Sequence, residues 1–338
     1  MGLLINGHWD SAATMIPIEA GRFVREPAAF RQVITTDGSS GFRAEPGRYH
    51  LYVAYHCPWA WRTMLYRAIK GLEPVISMTI AIPNDRQEGW IFGDYPGGCT
   101  PDAVNGFTHL HQAYTAARPD YSGTVSVPVL WDRAEHTIVN NESSEIIRML
   151  NDAFDDFTDI KTDFYPKSLR REIDEVNERV YRGINNGVYR CGLAKSQEAY
   201  DEAFDTLFET LDWLEQRLSR HRYLVGGSIT EADWRLLASL LRFDLVYHGL
   251  FKCNQRTIAS YPQLGNYTRE LYQYPKVAST VNVSHFIRGY YSIPGINPTG
   301  IIPRGPGGYE EALAAAHDRA RLPIKGVVGS GHPAPGPT

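Results

Sequence analysis

The sequence predicts an α/β domain followed by an all-α domain, and three features of the 338 residues carry that expectation. Between 48 and 158, short apolar runs with β character alternate with stretches of helical spacing. From 159 to 291 the strand signal fades and amphipathic helices follow one another. Residues 1–47 and 292–338 are rich in Pro, Gly and polar residues, with little periodicity. They read as an extended N-terminal arm laid over the body and an irregular C-terminal extension.

Taken in order, "RYHLYVAYH" (48–56) is a strand rich in Val, Leu and Tyr, and Pro58 to Gly71 is a helix with Trp61, Leu65, Ala68 and Ile69 at helical spacing. A strand over 75–82 follows, then an irregular Gly- and Pro-rich stretch over 83–101 and a helix over 102–117. "VSVPVLWD" (125–132) and "TIVN" (137–140) form a hairpin, closed by a helix over 142–154. A β-α-β unit, a helix, a hairpin and a closing helix make the thioredoxin-like order. The second domain is expected as a bundle of helices over 168–185, 197–218, 231–247 and 261–274. From 292 to 309 the prolines and glycines rule out helix and strand, and "GSGHPAPGPT" (329–338) has the composition of a disordered tail.

Composition is ordinary, with 43% hydrophobic and 21% charged residues and a net charge of −4. A mildly acidic chain without basic runs repels phosphate, so no nucleic-acid partner is expected. The first residues lack both a charged n-region and a long apolar core, so no membrane association is expected and the expected setting is cytoplasmic. The four cysteines, at 57, 99, 191 and 253, are far apart and form no C-x-x-C pair, which fits a reducing compartment and neither a disulfide framework nor a zinc site.

Cys57 precedes Pro58 where the first strand turns into the first helix. Pro58 suits the first helical position, since its missing N–H would be unpaired there. The open N–H groups of that turn and the helix dipole favour an anion in front of them, so the position suits a thiolate. A lone cysteine is more often a small buried hydrophobe, and only strand, Cys, Pro and helix together raise the functional reading level with it. His56 is poorly placed as its base, because neighbours on a strand face opposite ways. Position 60 is alanine, so a disulfide on Cys57 must be resolved by a thiol from elsewhere.

Pro128 interrupts a good strand, which points to a cis Val127–Pro128 bond at a strand end that frees the Val127 backbone for a peptide-like ligand. An edge-strand proline with no ligand explains the motif nearly as well. Glu142 and Ser143 open a helix, where a hydroxyl and free N–H groups cap the helix by default and can also hold a carboxylate. Together these features describe a receptor for a small thiol peptide.

The order Cys-Pro, Val-Pro, Glu-Ser resembles the glutathione transferase superfamily. "CPWA", "NNGVY" (185–189), "YLVGGSITEADWRL" (223–236), "RFD" (242–244) and "INPTGIIPRGP" (296–306) resemble its Xi-class glutathionyl-hydroquinone reductases, over positions 2 to 306. The resemblance implies a glutathione transferase fold, glutathione and an aromatic quinone-derived thioether as partners, and a homodimer. It implies glutathione as co-substrate, no metal, and reduction of glutathionyl-hydroquinones through a Cys57 mixed disulfide resolved by a second thiol. Cys57 would be the nucleophile, and Tyr189 and Tyr291 would face the aromatic substrate. Trp90 would pack on glutathione, Val127 with Pro128 would pair with its cysteine backbone, and Glu142 and Ser143 would hold its γ-glutamyl end.

Three departures from the family pattern stand out. Thr124 occupies a position where relatives usually carry a basic residue, so a cationic contact with the thiol's carboxylate is missing there. The 289–298 segment lacks a Ser-His and is shorter, and Trp61 replaces a histidine in "CPWAWR". The thiol is left open between glutathione and another low-molecular-weight thiol such as mycothiol. The rival activities are a thioltransferase on glutathione mixed disulfides and a non-catalytic binding module. Elsewhere, Thr230 and Asp233 have capping-box spacing, and His109 and His111 would diverge on a helix, arguing against a metal site. Cys99, Cys191 and Cys253 read as inert, with Cys99, in a loop, the one open to oxidation.

Overall fold

The structure is a computed structural model that describes residues 2–13, 17–83 and 88–322. The arm carries three two-stranded pairs: β1 (Leu3–Ile5) with β2 (His8–Asp10), β3 (Ile18–Glu19) with β4 (Arg22–Phe23), and β5 (Ile34–Thr35) with β6 (Phe42–Arg43). It is bonded to the body. The Leu4 and Gly123 backbones bond reciprocally, Gln32 N–H donates to Val139, and Leu4 and Ile34 are buried.

A four-stranded sheet follows, built from β7 (Tyr49–Val53), β8 (Ser77–Ile80), β9 (Val129–Asp132) and β10 (Thr137–Asn140), in the order β10-β9-β7-β8. Within this sheet β7 and β8 run parallel, joined by α1 (Pro58–Ile69), and the other pairs are antiparallel. All five residues of β7 are buried, which is why this strand reads as a continuous run without alternation. Its one histidine, His50, is satisfied between the hydroxyls of Ser77 at 2.7 Å and Thr79 at 2.9 Å. Helix α2 (Leu110–Ala117) packs near β10, and α3 (Ser143–Asp152) packs on α1.

The helix expected over 102–117 begins only at Leu110. The buried Asp102 carboxylate accepts backbone N–H groups from Val104, Asn105 and Phe107 and the hydroxyl of Tyr52, winding 102–107 into a turn around itself. The strand expected over 125–132 enters the ladder only after Pro128, at Val129.

The helical part comprises α4 (Arg170–Val180), α5 (Gly187–Gly192), α6 (Gln197–Leu218), α7 (Glu231–Arg242), α8 (Pro262–Tyr272), α9 (Val283–Tyr291) and α10 (Tyr309–Ala314). The helix expected over 168–185 is α4 running into a π-helical turn, Tyr181–Asn185, and that over 231–247 is α7 running into another, Phe243–Tyr247. The capping box is present, with Thr230 N–H and hydroxyl donating to Asp233 at 2.7 and 2.9 Å. Asp233 also accepts from Leu224 N–H and the Tyr267 hydroxyl, which makes it a structural carboxylate.

Two features went unread in the sequence. Helix α9 was not expected, although Asn282 caps it through the His285 N–H at 3.0 Å. The C-terminal extension is not wholly irregular: after 309 it forms α10, and the fully buried Arg319 donates to the carbonyls of Leu218, His221 and Arg222. Those carbonyls lie at the end of α6, where open acceptors favour a cation. The tail at 329–338 lies outside the described residues.

Candidate active site

Cys57 is the N-cap of α1, in extended backbone, with Pro58 in the first turn. Its partly exposed Sγ accepts the Ala60 N–H at 3.5 Å and donates to the Val127 carbonyl at 3.5 Å. The helix start thus aims a donor at the sulfur, and the loop before β9 meets it from the other side. The Val127–Pro128 bond is cis, and the Val127 N–H has no protein partner among the described residues.

The loop preceding Cys57 is held from behind. Fully buried Arg242, at the end of α7, donates to the His56 carbonyl at 2.9 Å and the Tyr55 carbonyl at 2.6 Å. The buried His56 ring stacks on Trp90 at 5.2 Å, and it lies so close to Gly289 that a Cβ there would sit 2.1 Å from the imidazole. His56 is therefore a packing residue. Trp90 donates to the Val125 carbonyl at 3.2 Å and supports the Cys57 loop without lining the adjoining cavity.

That cavity, about 270 Å³, lies beside Val127 and Pro128 and is lined by Trp59, Glu142 and Ser143 together with several arginines. Glu142 caps α3, its carboxylate accepting the Ser144 N–H at 2.9 Å and hydroxyl at 2.8 Å. Ser143 is buried and its hydroxyl accepts from Arg62 at 3.5 Å. Arg62 is buried, reaches Asn185 at 2.9 Å, and has no carboxylate partner among the described residues. Burial, and next the Arg235 charge, lower its pKa to about 9. The four residues Val127, Pro128, Glu142 and Ser143, chosen from sequence, therefore line one cavity.

Near Cys57 stands an aromatic cluster. The Tyr189 hydroxyl meets that of Tyr290 at 2.6 Å, and Tyr290 meets Tyr247 at 3.0 Å. Burial, and next the nearby Cys57, raise the Tyr189 phenol, so it remains a proton-bearing donor. Trp59 stacks near Tyr189 at 6.3 Å. Tyr291 is half-buried, with its hydroxyl against Gly249, and is not part of this hydroxyl chain. Sequence reasoning missed Tyr290, Tyr247, Trp59 and Arg62. The first two were hidden among 20 tyrosines, while Trp59 and Arg62 lie one turn apart in the very motif that was quoted.

Other candidates resolve as structural. Trp61, the departure in "CPWAWR", is fully buried and donates to the Thr280 carbonyl at 2.9 Å. Cys99 is 4% exposed and burial pushes its thiol up to about 11, so the expected openness to oxidation does not hold. Cys191 and Cys253 are buried. His109 caps α2 while His111 lies in its first turn, so their rings stack at 5.3 Å where divergence was expected. No group of three or more metal-ligating side chains occurs among the described residues.

Two family models match the chain, the glutathione S-transferase N-terminal domain over residues 56–153 and C-terminal domain over 197–270. The chain is 51% identical to the glutathionyl-hydroquinone reductase PcpF of Sphingobium chlorophenolicum, over 90% of this chain and 96% of that protein. It is 49% identical to the glutathionyl-hydroquinone reductase YqjG of Escherichia coli, over 90% and 95%. Among solved structures, a Xi-class enzyme from Natrialba magadii superposes with a TM-score of 0.87 at 42% identity, covering 95% of this chain and 97% of that one. Glutathione-bound YqjG superposes at 0.86 and 46% identity, covering 95% and 99%. With a thioredoxin-like sheet, a following helical domain and this extent of similarity, the chain belongs to the glutathione S-transferase superfamily, in its Xi-class glutathionyl-hydroquinone reductase branch.

Proposed function

We propose that the protein is an oxidoreductase acting on sulfur, which uses glutathione to reduce glutathionyl-hydroquinones to hydroquinones. The observation that carries this is the Cys57 sulfur, held at a helix start between the Ala60 N–H and the Val127 carbonyl, with the Tyr189 phenol beside it. Val127 and Pro128 offer a backbone edge to the thiol's own cysteine. Glu142 meets its ammonium group and Ser143 the neighbouring carboxylate, while Trp90 backs the loop.

The substrate's sulfur is bonded to a ring carbon that becomes a feasible leaving group once the hydroquinone tautomerises to a ketone. The Cys57 thiolate attacks that sulfur, the S–C bond breaks with its electron pair going to the ring, and a proton completes the hydroquinone. A phenol of the tyrosine cluster donates to the ring oxygen as charge develops. The Cys57–glutathione disulfide is then attacked by a second glutathione thiolate, which releases oxidised glutathione and regenerates Cys57.

The test supplies purified protein with a glutathionyl-hydroquinone and excess glutathione and follows free hydroquinone by chromatography. Wild type is expected to release it and Cys57→Ser to release none; equal release by both would overturn the proposal. Disulfide reduction without hydroquinone release would indicate the thioltransferase activity. A chain of tyrosine hydroxyls whose Tyr189 member lies near Cys57 favours the aromatic substrate, since a plain disulfide needs no donor to a ring oxygen. The setting proposed is the cytoplasm, as a homodimer, on the family resemblance; no helix among the described residues is long and apolar enough to cross a membrane. A monomeric mass in sedimentation would sink the dimer.

A further inference from the structure

Charges around the cavity do not cancel. Arg31 is committed to Glu145, Arg235 to Glu231, and Glu178 to Arg182. What remains facing the cavity is Glu142 against two guanidinium groups, Arg25 and Arg62. Both lie over the Trp59 ring, at 4.3 and 4.7 Å from its centroid. Arg62 is 1% exposed, and its Nε has no hydrogen-bond partner. A buried cation with an unused donor, beside a second cation and the Ser143 hydroxyl, is the complement of a carboxylate.

Arg25 reaches this place from the arm, and the arm is fastened on both sides of it. Arg22 pairs with Glu202 at 2.8 Å, and Gly21 accepts the Lys195 N–H at 2.9 Å. On the other side, Glu26 accepts the Thr124 hydroxyl at 3.3 Å, and Phe30 N–H donates to Asn141 at 3.0 Å. Thr124 is the position where a cation was expected and is absent; here its hydroxyl instead tethers the residue next to Arg25.

We propose that Arg25 and Arg62 form a carboxylate clamp over Trp59, which makes the N-terminal arm part of the thiol site and selects a carboxylate-bearing peptide thiol over a neutral sugar-based one. The inference rests on the glutathione reading above and deepens it. The carboxylate concerned is the glutamyl α-carboxylate, next to Ser143, whose ammonium neighbour faces Glu142.

The test measures binding, independently of turnover, by titrating S-methylglutathione into wild type and Arg25→Ala, a change at an exposed side chain. Two analogues run in parallel, one amidated at the glutamyl α-carboxylate and one at the glycine carboxylate. Arg25→Ala is expected to weaken S-methylglutathione and the glycine amide about tenfold, the scale of one charge-assisted contact. It should leave the glutamyl amide, already weaker for wild type, unchanged. Equal weakening of all three, or an effect cancelled only by the glycine amide, would overturn the clamp while leaving the glutathione reading intact. If wild type bound none of them, that reading would fall, and the clamp with it.

Discussion

Tyr189, Tyr290 and Tyr247 share hydroxyl contacts, so each phenol can polarise the next. Burial raises all three well above the usual phenol range or in that direction, which keeps them protonated at neutral pH. A chain of neutral phenols ending beside the sulfur suits donation to a ring oxygen that gains charge only during the reaction. Tyr189→Phe is therefore expected to lower kcat for hydroquinone release roughly 10²-fold, with a smaller change in KM. Tyr290→Phe should act in the same direction, and the double variant should fall short of the product of the two because the hydroxyls act as a unit. Steady-state kinetics check this, and an unchanged kcat in Tyr189→Phe would refute the role. Reduction of a plain glutathione disulfide should be nearly untouched in both.

Helix α1 carries Cys57 at its cap, Trp59 in its first turn and Arg62 one turn on, so a single rigid element sets the Cys57 sulfur against the cavity. Two π-helical turns frame it, one containing Asn185, which holds Arg62, and the other containing Tyr247. Such turns rotate the following residues relative to an α-helix, which is how long helices deliver side chains to a site they would otherwise pass. Gly183 sits within the first, where a Cβ would lie 2.1 Å from the Thr210 hydroxyl of α6. The sheet side joins the bundle through buried Glu231 at the start of α7, which accepts from Arg148 of α3 at 2.8 Å, Asn177 at 2.9 Å and Arg235 at 3.2 Å. Glu231→Ala strands those donors and should cost about 3–5 kcal/mol. The measurement is a urea unfolding curve, and a midpoint within error of wild type would show that the cluster does not join the two parts.

At the scale of the whole molecule, the sheet's centre is β7, and its buried His50 couples stability to acid. Burial holds the imidazole down at about 4, against an ordinary 6.5. Between those values the unfolded chain binds a proton that the folded chain refuses, so stability falls as pH drops through that window, by up to ~1.4 kcal/mol per pH unit. Above it His50 contributes no slope. In His50→Gln the melting temperature should decline less steeply than in wild type between pH 6.5 and about 4. Parallel curves for the two proteins would rule out His50 as the acid-sensitive group.

Periodicity and punctuation made much of this protein legible: α6 spans the expected 197–218, the second hairpin strand the expected 137–140, and Cys57 with Pro58, Val127–Pro128 and Glu142 stand where local chemistry places them. Those features depend on neighbours in the chain, since caps, turns and amphipathic faces are decided within a few residues. Long-range contacts decided the rest. The buried Asp102 unwound a stretch with helical spacing, Tyr290 met Tyr189 across 101 positions, and Arg319 pinned an apparently shapeless extension to the end of α6. Only the folded chain brought Arg25 of the arm over Trp59, because the charges that leave a cavity unbalanced come from segments whose spacing in sequence carries no trace of their meeting.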